Sequence, residues 1–401
     1  MKILWISRSF PPMRTSESYA AGKLALALAQ EGIESRIVCD QPGMNPDQSP
    51  RWRQLAACCC RVSTQIAARR YPFDCLTPWY PKDRKWVVSA YRESLKLVGN
   101  WRPALLVSRY APFESHVVGH ALSKVLAIPW VVFFSDPWPG FLHPVPYRRE
   151  PRLGGRLLYK FWSHMIWSKA SLIVFPSKRL LQLMLASHGT PRHGKAVVLP
   201  HISGTSPSTV GDRNEFRLVH CGAAGGARRL DLFLSGLQLF FQRNPPSRSR
   251  TRLVFIGKLD VSERENRLLK TINGNIEICG EVDYDESCQV IARATVLVLI
   301  EAPMANGVFL PGKFADYAGS GRPILAVSPA GGEVADLLRI AGQTVVSQKN
   351  PERVADRLQS MYTAWQGGSL EKVFSIEPIR SLFDARSVGT TFYTLCTNLA
   401  K

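Results

Sequence analysis

The segment from Gly307 to Pro323 combines residue types that bind a diphosphate. It reads GVFLPGKFADYAGSGRP. The loop at Pro311 and Gly312 leads into a predicted short helix, whose first turn exposes N–H groups that attract anions, and Lys313 adds a full positive charge there. Asp316 lies three residues further on a neighbouring face, placed to accept two ribose hydroxyls. In the alternative interpretation, Gly312 is only a turn and Asp316 is a solvated helix residue.

A second group of candidate residues follows a predicted buried strand in the N-terminal half. Ser135 and Asp136 lie where this strand ends, so Asp136 would face a cleft and orient or deprotonate a hydroxyl. It could equally cap the following turn. His116 and His120 have the helical spacing of a metal pair, but no third ligand is identifiable, so we favour solvated or core histidines and predict no metal site.

The elements that must position these residues alternate along the chain. Short apolar runs are separated by helical stretches, which predicts parallel sheets covered by helices on both faces. The strands predicted in the N-terminal half are Lys2 to Ser7, Ser35 to Cys39, Ala104 to Ser108, Trp130 to Phe134, Leu172 to Phe175 and Ala196 to Leu199. Those predicted in the C-terminal half are Arg217 to Cys221, Arg252 to Ile256, Ile276 to Cys279, Val296 to Ile300, Pro323 to Val327 and Thr344 to Ser347.

Composition divides the chain into two domains. A chain of 401 residues is long for one core, and residues 203–215 are rich in Gly, Ser, Thr and Pro, as in a linker. The predicted fold is therefore α/β, with Rossmann-like domains at 1–202 and 216–379 facing across a cleft, and with a C-terminal helix at about 380–401 packing back onto the first. Ligands of such sheets bind beyond the carboxyl ends of the strands.

The segment described first resembles the donor-binding segment of the retaining glycosyltransferases usually numbered family four, which have the GT-B fold. The related segment reads roughly LP-x-K-x-(Phe/Tyr)-(Glu/Asp)-Tyr-x-(Ala/Ser)-Gly-(Lys/Arg)-Pro. The matching positions here are Leu310, Pro311, Lys313, Asp316, Tyr317, Gly321, Arg322 and Pro323.

The resemblance extends over roughly residues 216–347. FRLVHCGAAGGARRLD looks like the first strand and loop of the family's C-terminal domain, where Gly222 and Arg228 match positions near the donor phosphates. Gly280 to Val282 fall where the family contacts the base through backbone groups. Residues 331–338, GGEVADLL, resemble the element after the next strand.

The N-terminal half resembles the family less specifically and departs from it in places. Phe10-Pro11-Pro12 matches the usual opening, and PWVVFFSDPW resembles the strand that ends in an Asp-Pro-Trp turn. Val308 stands where many members carry a glutamate, and Ser135 stands where many carry a histidine. Residues 13–16, MRTS, replace the paired glycines that are expected in the acceptor loop.

The resemblance implies a metal-independent hexosyltransferase without a cofactor, which transfers a sugar from a nucleotide sugar with retention. UDP-sugar is the first choice of donor and GDP-sugar the second. The implied acceptor is a sugar or a lipid-linked molecule, such as a lipid-linked or polysaccharide precursor. Arg228, Lys313 and helix N-termini would stabilise the leaving diphosphate in place of a metal. Ser135 and Asp136 are the candidate catalytic residues.

Charge is concentrated in the N-terminal half. Residues 1–200 carry 28 Lys and Arg against 11 Asp and Glu, a net charge of +17, whereas residues 201–401 carry only +3. The stretch from Tyr147 to Lys169 interleaves aromatic residues with Arg148, Arg149, Arg152, Arg156, Lys160 and Lys169. Such a stretch is typical of a helix on anionic lipid, or of a core helix with a solvated basic face. We expect a cytoplasmic protein, peripheral on the inner face of the membrane.

Two other functions remain open at this stage. A sugar-nucleotide epimerase of the same fold would share the donor site but would need no acceptor surface. A non-enzymatic protein that binds polyanions is suggested only by the net charge of +20. No basic-aromatic recognition module for nucleic acid is apparent, so we expect no nucleic-acid partner.

Overall fold

The computed structural model describes residues 1–62, 81–99, 101–151, 155–206 and 214–401. Residues 207–213 of the predicted linker, and Arg152, lie outside these ranges. The chain divides into two compact units. Unit 1 comprises Met1–His143, Arg148–His201 and Ala385–Lys401, and unit 2 comprises Pro144–Tyr147 and Ile202–Asp384.

Unit 1 is built on a parallel sheet in the order β3-β2-β1-β4-β5-β6-β7. Its strands are β1 (Lys2–Ile6), β2 (Glu34–Asp40), β3 (Cys59–Val62), β4 (Leu105–Arg109), β5 (Trp130–Phe133), β6 (Leu172–Phe175) and β7 (Lys195–Val198). Residues 3–6 of β1 are fully buried, because helices cover both faces of a parallel sheet.

The helices of unit 1 include one from the far end of the chain. They are α1 (Ser16–Gln30), α2 (Arg53–Ala56), α3 (Pro81–Val98), α4 (Glu114–Leu126), α5 (Gly155–Lys169) and α6 (Lys178–His188), together with α16 (Ala385–Leu399). Thr15 caps α1 by accepting a hydrogen bond from the Ser18 N–H at 3.1 Å. Helix α16 packs on α1 where Gly389 meets Ala27.

Unit 2 has a five-stranded parallel sheet in the order β12-β10-β8-β13-β14 and a small pair, β9 and β11. The strands are β8 (Phe216–Cys221), β9 (Ala224–Gly225), β10 (Thr251–Ile256), β11 (Leu259–Asp260), β12 (Ile276–Gly280), β13 (Val296–Ile300) and β14 (Ile324–Val327). The helices are α7 (Asp231–Arg243), α8 (Pro245–Arg250), α9 (Glu263–Thr271), α10 (Tyr284–Arg293), α11 (Gly312–Ser320), α12 (Glu333–Ile340), α13 (Pro351–Gln366), α14 (Leu370–Val373) and α15 (Glu377–Arg380).

The predicted α/β class, with two Rossmann-like parallel sheets, is confirmed. Strand β3 was not predicted, because its cysteines and Arg61 do not form the apolar run that is typical of a buried strand. The strand predicted at Thr344 to Ser347 is wrong, since this segment makes only an isolated bridge between Val346 and Val327.

Each large sheet has one position where the strand order reverses. In unit 1, β2 and β4 flank β1, and in unit 2, β10 and β13 flank β8. A crevice opens at the carboxyl ends of the strands at such a point, which is where ligands of open α/β sheets bind. The candidate phosphate-binding residues of unit 2 lie around one of these positions, and the strand followed by Ser135 and Asp136 neighbours the other. No helix in the described part of the chain is both long and apolar enough to span a bilayer.

Candidate functional site

A cluster of charged and polar residues surrounds the reversal point of unit 2. We call it the basic cluster, and it consists of His220, Gly222, Arg228, Glu301 and Lys313. His220 is on β8, Gly222 follows that strand directly, and Glu301 follows β13. Lys313 is in the first turn of α11. Strand ends and a helix N-terminus therefore converge here, the arrangement that binds phosphate in α/β folds.

Lys313 reaches across the glycine turn to the buried His220. Its Nζ donates to His220 Nε2 at 3.1 Å, while His220 Nδ1 donates to the Val298 carbonyl at 2.9 Å. Gly222 has φ +94°, and a Cβ atom there would lie 3.1 Å from the Lys313 Cε and Nζ atoms. The absent side chain at Gly222 leaves the room that the lysine occupies.

Tyr317 anchors α11 against the sheet, so that Lys313 is held in place. The Tyr317 hydroxyl accepts a hydrogen bond from the Cys221 N–H at 2.8 Å and is itself fully buried. Gly321 ends the helix with φ +74°, in the left-handed conformation that suits a glycine C-cap. The sequence AGSGRP therefore sets the length of a helix that carries Lys313 at one end.

The protonation of Lys313 depends on its surroundings in the fold. Burial, followed by repulsion from Arg228, lowers the pKa of Lys313 to about 7. Burial and the nearby Lys313 also hold the pKa of His220 well below its usual value, so this imidazole is neutral. Desolvation disfavours the ammonium form of Lys313 in the free protein, so the full positive charge predicted from the sequence requires a nearby anion that compensates it.

Glu301 is a member of the basic cluster that sequence reasoning missed as a functional residue. Its carboxylate accepts a hydrogen bond from the Ser328 hydroxyl, which follows β14. Burial raises the pKa of Glu301 to about 7, although Arg228 and Lys313 oppose this shift. Glu301 could have been recognised from the sequence as a carboxylate directly after the apolar strand β13, at the edge of the sheet where ligands bind.

The other predicted donor-site residues are distributed around this cluster. Arg228 is partly buried, and its backbone closes a turn with Gly225, with N···O distances of 3.0 Å. Pro311 is the N-cap of α11, and Gly312 is its first residue. Val282 is partly buried and packs against the apolar core beneath α11, so its side chain serves packing. A role for its backbone stays a prediction.

Asp316 is buried about one turn along α11 from Lys313. Its Oδ1 accepts hydrogen bonds from the Gly204 N–H and the Tyr284 hydroxyl, each at 2.7 Å. The side chain ties α11 to α10 and to the segment after residue 202. The alternative of a solvated helix residue is wrong, because Asp316 is only 6% exposed. The role in ribose binding stays a prediction.

Ser135 and Asp136 follow β5, the strand next to the reversal point of unit 1, and two residues that sequence reasoning missed lie close to Ser135. The Ser135 hydroxyl donates to Glu17, in the first turn of α1. Glu17 also pairs with Arg109 at the end of β4, with Nε and Oε1 2.8 Å apart. Arg109 could not be recognised from the sequence, since nothing there places its guanidinium beside α1.

His116 and His120 are core residues. Ser108 Oγ lies 2.8 Å from His116 Nδ1, and the rings pack against Phe134 and Trp130. Burial lowers the pKa of His116 to about 3, so the ring is neutral. In the described ranges, no group of three His, Cys, Asp or Glu side chains is arranged to hold a metal ion.

The basic aromatic stretch is divided between core and surface. Much of its apolar face lies in the core of unit 1, where Ile166 and Trp167 are buried. Leu157 and Phe161, however, are 77% and 53% exposed, and they are neighbours on α5. Of the basic residues, Arg156 and Arg148 pair with Glu150 at 3.1 and 2.7 Å. The exposed Leu157 and Phe161, flanked by Arg156 and Lys160, are called the α5 surface below.

One protein-family model matches part of the chain. Residues 18–201 match the model of the glycosyl transferase 4-like domain. No curated protein sequence matches the chain significantly.

Similar solved structures cover nearly the whole chain. HepE of Anabaena, in complex with UDP and glucose, has a TM-score of 0.67 at 15% identity, with 100% of both chains covered. WaaG, a glycosyltransferase involved in lipopolysaccharide biosynthesis, has a TM-score of 0.59 at 12% identity, with 100% of this chain and 99% of WaaG covered. A putative UDP-N-acetylglucosamine 2-epimerase from Listeria monocytogenes has a TM-score of 0.61 at 11% identity, with 99% and 96% covered. At such identities the likeness establishes the fold. The chain therefore has the GT-B fold, and its residues 18–201 are similar to the glycosyl transferase 4-like domain.

Proposed function

We propose that this protein is a glycosyltransferase that transfers a sugar from a nucleotide sugar to a hydroxyl acceptor, with retention of configuration. The basic cluster carries the proposal, because Lys313, Arg228 and the N-terminus of α11 meet at the reversal point of unit 2. A UDP-sugar is the first choice of donor and a GDP-sugar the second. The complexes of HepE with UDP and UDP-glucose support this order.

In the proposed reaction, the cluster stabilises the charge on the leaving diphosphate. The acceptor oxygen forms a bond to the anomeric carbon, the bond from that carbon to the diphosphate breaks, and the hydroxyl proton passes to the diphosphate. Lys313 and Arg228 supply positive charge and the α11 N–H groups supply dipoles, so we propose that no metal ion and no cofactor take part.

A thermal-shift screen of UDP, GDP, ADP and dTDP tests the donor part of the proposal. A ligand at 100 times its Kd stabilises the folded protein by about 2.7 kcal/mol, so we expect UDP to raise Tm clearly and GDP to do so less. A protein whose Tm responds to none of the four at millimolar concentration is not a nucleotide-sugar enzyme.

The transferase must also be distinguished from an epimerase, since a putative epimerase shares the fold. We favour the transferase because residues 18–201 match a glycosyl transferase domain. Incubation of the bound nucleotide sugar without any acceptor separates the two. Conversion of its sugar into an epimer would establish the epimerase, whereas a transferase leaves the sugar unconverted or hydrolyses it slowly. A protein that only binds polyanions would neither epimerise nor hydrolyse the sugar.

For the acceptor, we propose a lipid-linked or polysaccharide precursor, used from the cytoplasm at the inner membrane face. The α5 surface supports this proposal, because it combines two exposed apolar side chains with Arg156 and Lys160. Each basic residue near an anionic surface contributes on the order of 1 kcal/mol to the free energy of membrane binding, and burial of Leu157 and Phe161 in the membrane adds to it.

We expect the protein to sediment with vesicles that contain anionic lipid at low salt, and to be released by salt as the charges are screened. Changing Leu157 and Phe161 together to Glu should abolish sedimentation without altering nucleotide binding. Ile340→Glu is the matched control, since Ile340 is also an exposed apolar residue, 58% exposed, but lies on α12 of unit 2. If the wild type does not sediment with the vesicles, the membrane part of the proposal is wrong and the proposal for the donor site is unaffected.

A further inference from the structure

Glu17 is a buried carboxylate that neither the family resemblance nor the proposed donor chemistry uses. It is 9% exposed, in the first turn of α1. Three groups approach it, namely the Arg109 guanidinium, the Ser135 hydroxyl and, electrostatically, the Asp136 carboxylate. These residues come from α1, the end of β4 and the loop after β5. They meet at the reversal point of unit 1, where a ligand of this sheet would bind.

The free-energy cost of burying this group of charges is larger than that of a simple structural ion pair. Arg109 alone would compensate Glu17, yet Asp136 adds a second negative charge nearby, and burial penalises the ionised carboxylate further. Burial raises the pKa of Glu17 to about 6, against the opposing effect of Arg109 and the Ser135 hydrogen bond. Groups kept in such an environment at a strand end are candidates for function.

The hydrogen bond between Ser135 and Glu17 determines what Ser135 offers a ligand. A serine hydroxyl has one proton and two acceptor lone pairs. The ionised Glu17 can only accept, so it takes this proton, and the Tyr110 carbonyl, at 3.3 Å, can only compete for it. The lone pairs of Ser135 Oγ are left for another donor, and Ser135 is partly exposed.

We propose that Glu17 is a positioning residue for the acceptor, which acts by fixing Ser135 as a hydrogen-bond acceptor for a sugar hydroxyl. The inference rests on the proposed function and adds the group that orients the second substrate. Asp136, the neighbouring carboxylate, offers a second acceptor. Together they select a ligand that presents adjacent hydroxyl donors, as a sugar does. An anionic group at this position would be repelled by both carboxylates.

The test compares Glu17→Gln, Ser135→Ala, the double variant and Ser135→Thr. Nucleotide Kd is measured by calorimetry, and nucleoside diphosphate release from UDP-glucose or GDP-glucose is measured with octyl glucoside as the acceptor probe. We expect Glu17→Gln and Ser135→Ala each to raise the acceptor KM roughly 10-fold or more, because a hydrogen bond to a charged system is lost, with nucleotide Kd unchanged. The double variant should be no worse than either single variant, and Ser135→Thr should retain most activity.

A pH profile separates positioning from a purely structural role. In the wild type, acceptor kcat/KM should fall as pH drops through about 6, since protonated Glu17 can donate to Ser135 and reverse its hydroxyl. The Glu17→Gln variant should lose this part of the profile.

Unchanged acceptor KM in Glu17→Gln, or additive effects in the double variant, would overturn the inference while the donor site stands. If Glu17→Gln does not fold, Ser135→Ala tests the inference in its place. This variant should also lose the decrease in acceptor kcat/KM as pH drops through about 6. A wild type that binds no nucleotide overturns the proposed function and this inference together.

Discussion

Replacing Lys313 with alanine should weaken nucleoside diphosphate binding by roughly 1.5–3 kcal/mol, or about 10- to 150-fold, because a charged donor to the phosphates is removed. Its Nζ lies at the glycine turn, 3.1 Å from His220 Nε2, on the helix N-terminus that faces the reversal point. Arg228→Ala should have an effect of similar size. Calorimetric titration with UDP and GDP measures both.

The variants need controls for folding and for charge. Loss of the lysine leaves the buried His220 Nε2 without its donor, so a moderate drop in Tm is expected in Lys313→Ala. Lys313→Met retains the apolar stem and isolates the charge. Lys270→Ala removes an exposed lysine from α9 of the same unit and should leave the affinity unchanged. Wild-type affinity in both Lys313→Met and Arg228→Ala would show that the phosphates bind elsewhere.

Nucleotide-sugar affinity should fall as pH rises above 7. The pKa of Lys313 is about 7 in the free protein, and an anionic diphosphate beside it stabilises the ammonium form and raises that pKa. Binding then takes up a proton, so affinity decreases by up to about 10-fold per pH unit until the pKa of the complex is reached. The pKa of Glu301, also about 7, acts in the same direction, because its carboxylate repels the ligand.

Calorimetry of UDP-glucose binding between pH 6 and 9 tests this coupling. A nucleotide sugar is the suitable ligand, since both of its phosphates are esterified and neither titrates near neutrality. In buffers of different ionisation enthalpy, the apparent binding enthalpy should change in proportion to the protons taken up. Lys313→Arg stays charged at every pH and should show a shallower slope. A wild-type affinity that is constant from pH 7 to 9 contradicts the protonation state inferred for Lys313.

The sequence was sufficient for the two parallel sheets, because buried parallel strands read as apolar runs between helical stretches. It also placed Lys313 at a helix N-terminus, since the residues around it form a recognisable segment. Its partner His220 is on a strand far earlier in the chain, and only the folded sheet brings the two together. The lowered pKa follows from that burial, and so it could not be predicted from residue types.

Long-range packing also explains the other differences. The Glu17–Arg109 pair joins the first helix to a strand end that the sequence describes only as apolar. The aromatic residues of α5 could face lipid or core with the same periodicity, and the structure assigns Trp167 to the core and Phe161 to the surface. The most specific sequence resemblance lay in unit 2, whereas the matching family model covers residues 18–201. The two lines of comparison therefore support different halves of the chain.

The packing of α16 on α1 has a consequence for synthesis of the protein. Gly389 contacts Ala27, the Thr390 hydroxyl donates to Glu31 at 2.8 Å, and Phe392 packs edge-on against Phe133. At ~5–20 residues per second, the ribosome needs on the order of tens of seconds to make the chain between these two helices. During that interval the nascent α1 has no native partner on this face. Unit 1 therefore completes its folding only after unit 2 has been synthesised, and a chain that stops before Ala385 leaves an apolar face open to chaperones and proteases.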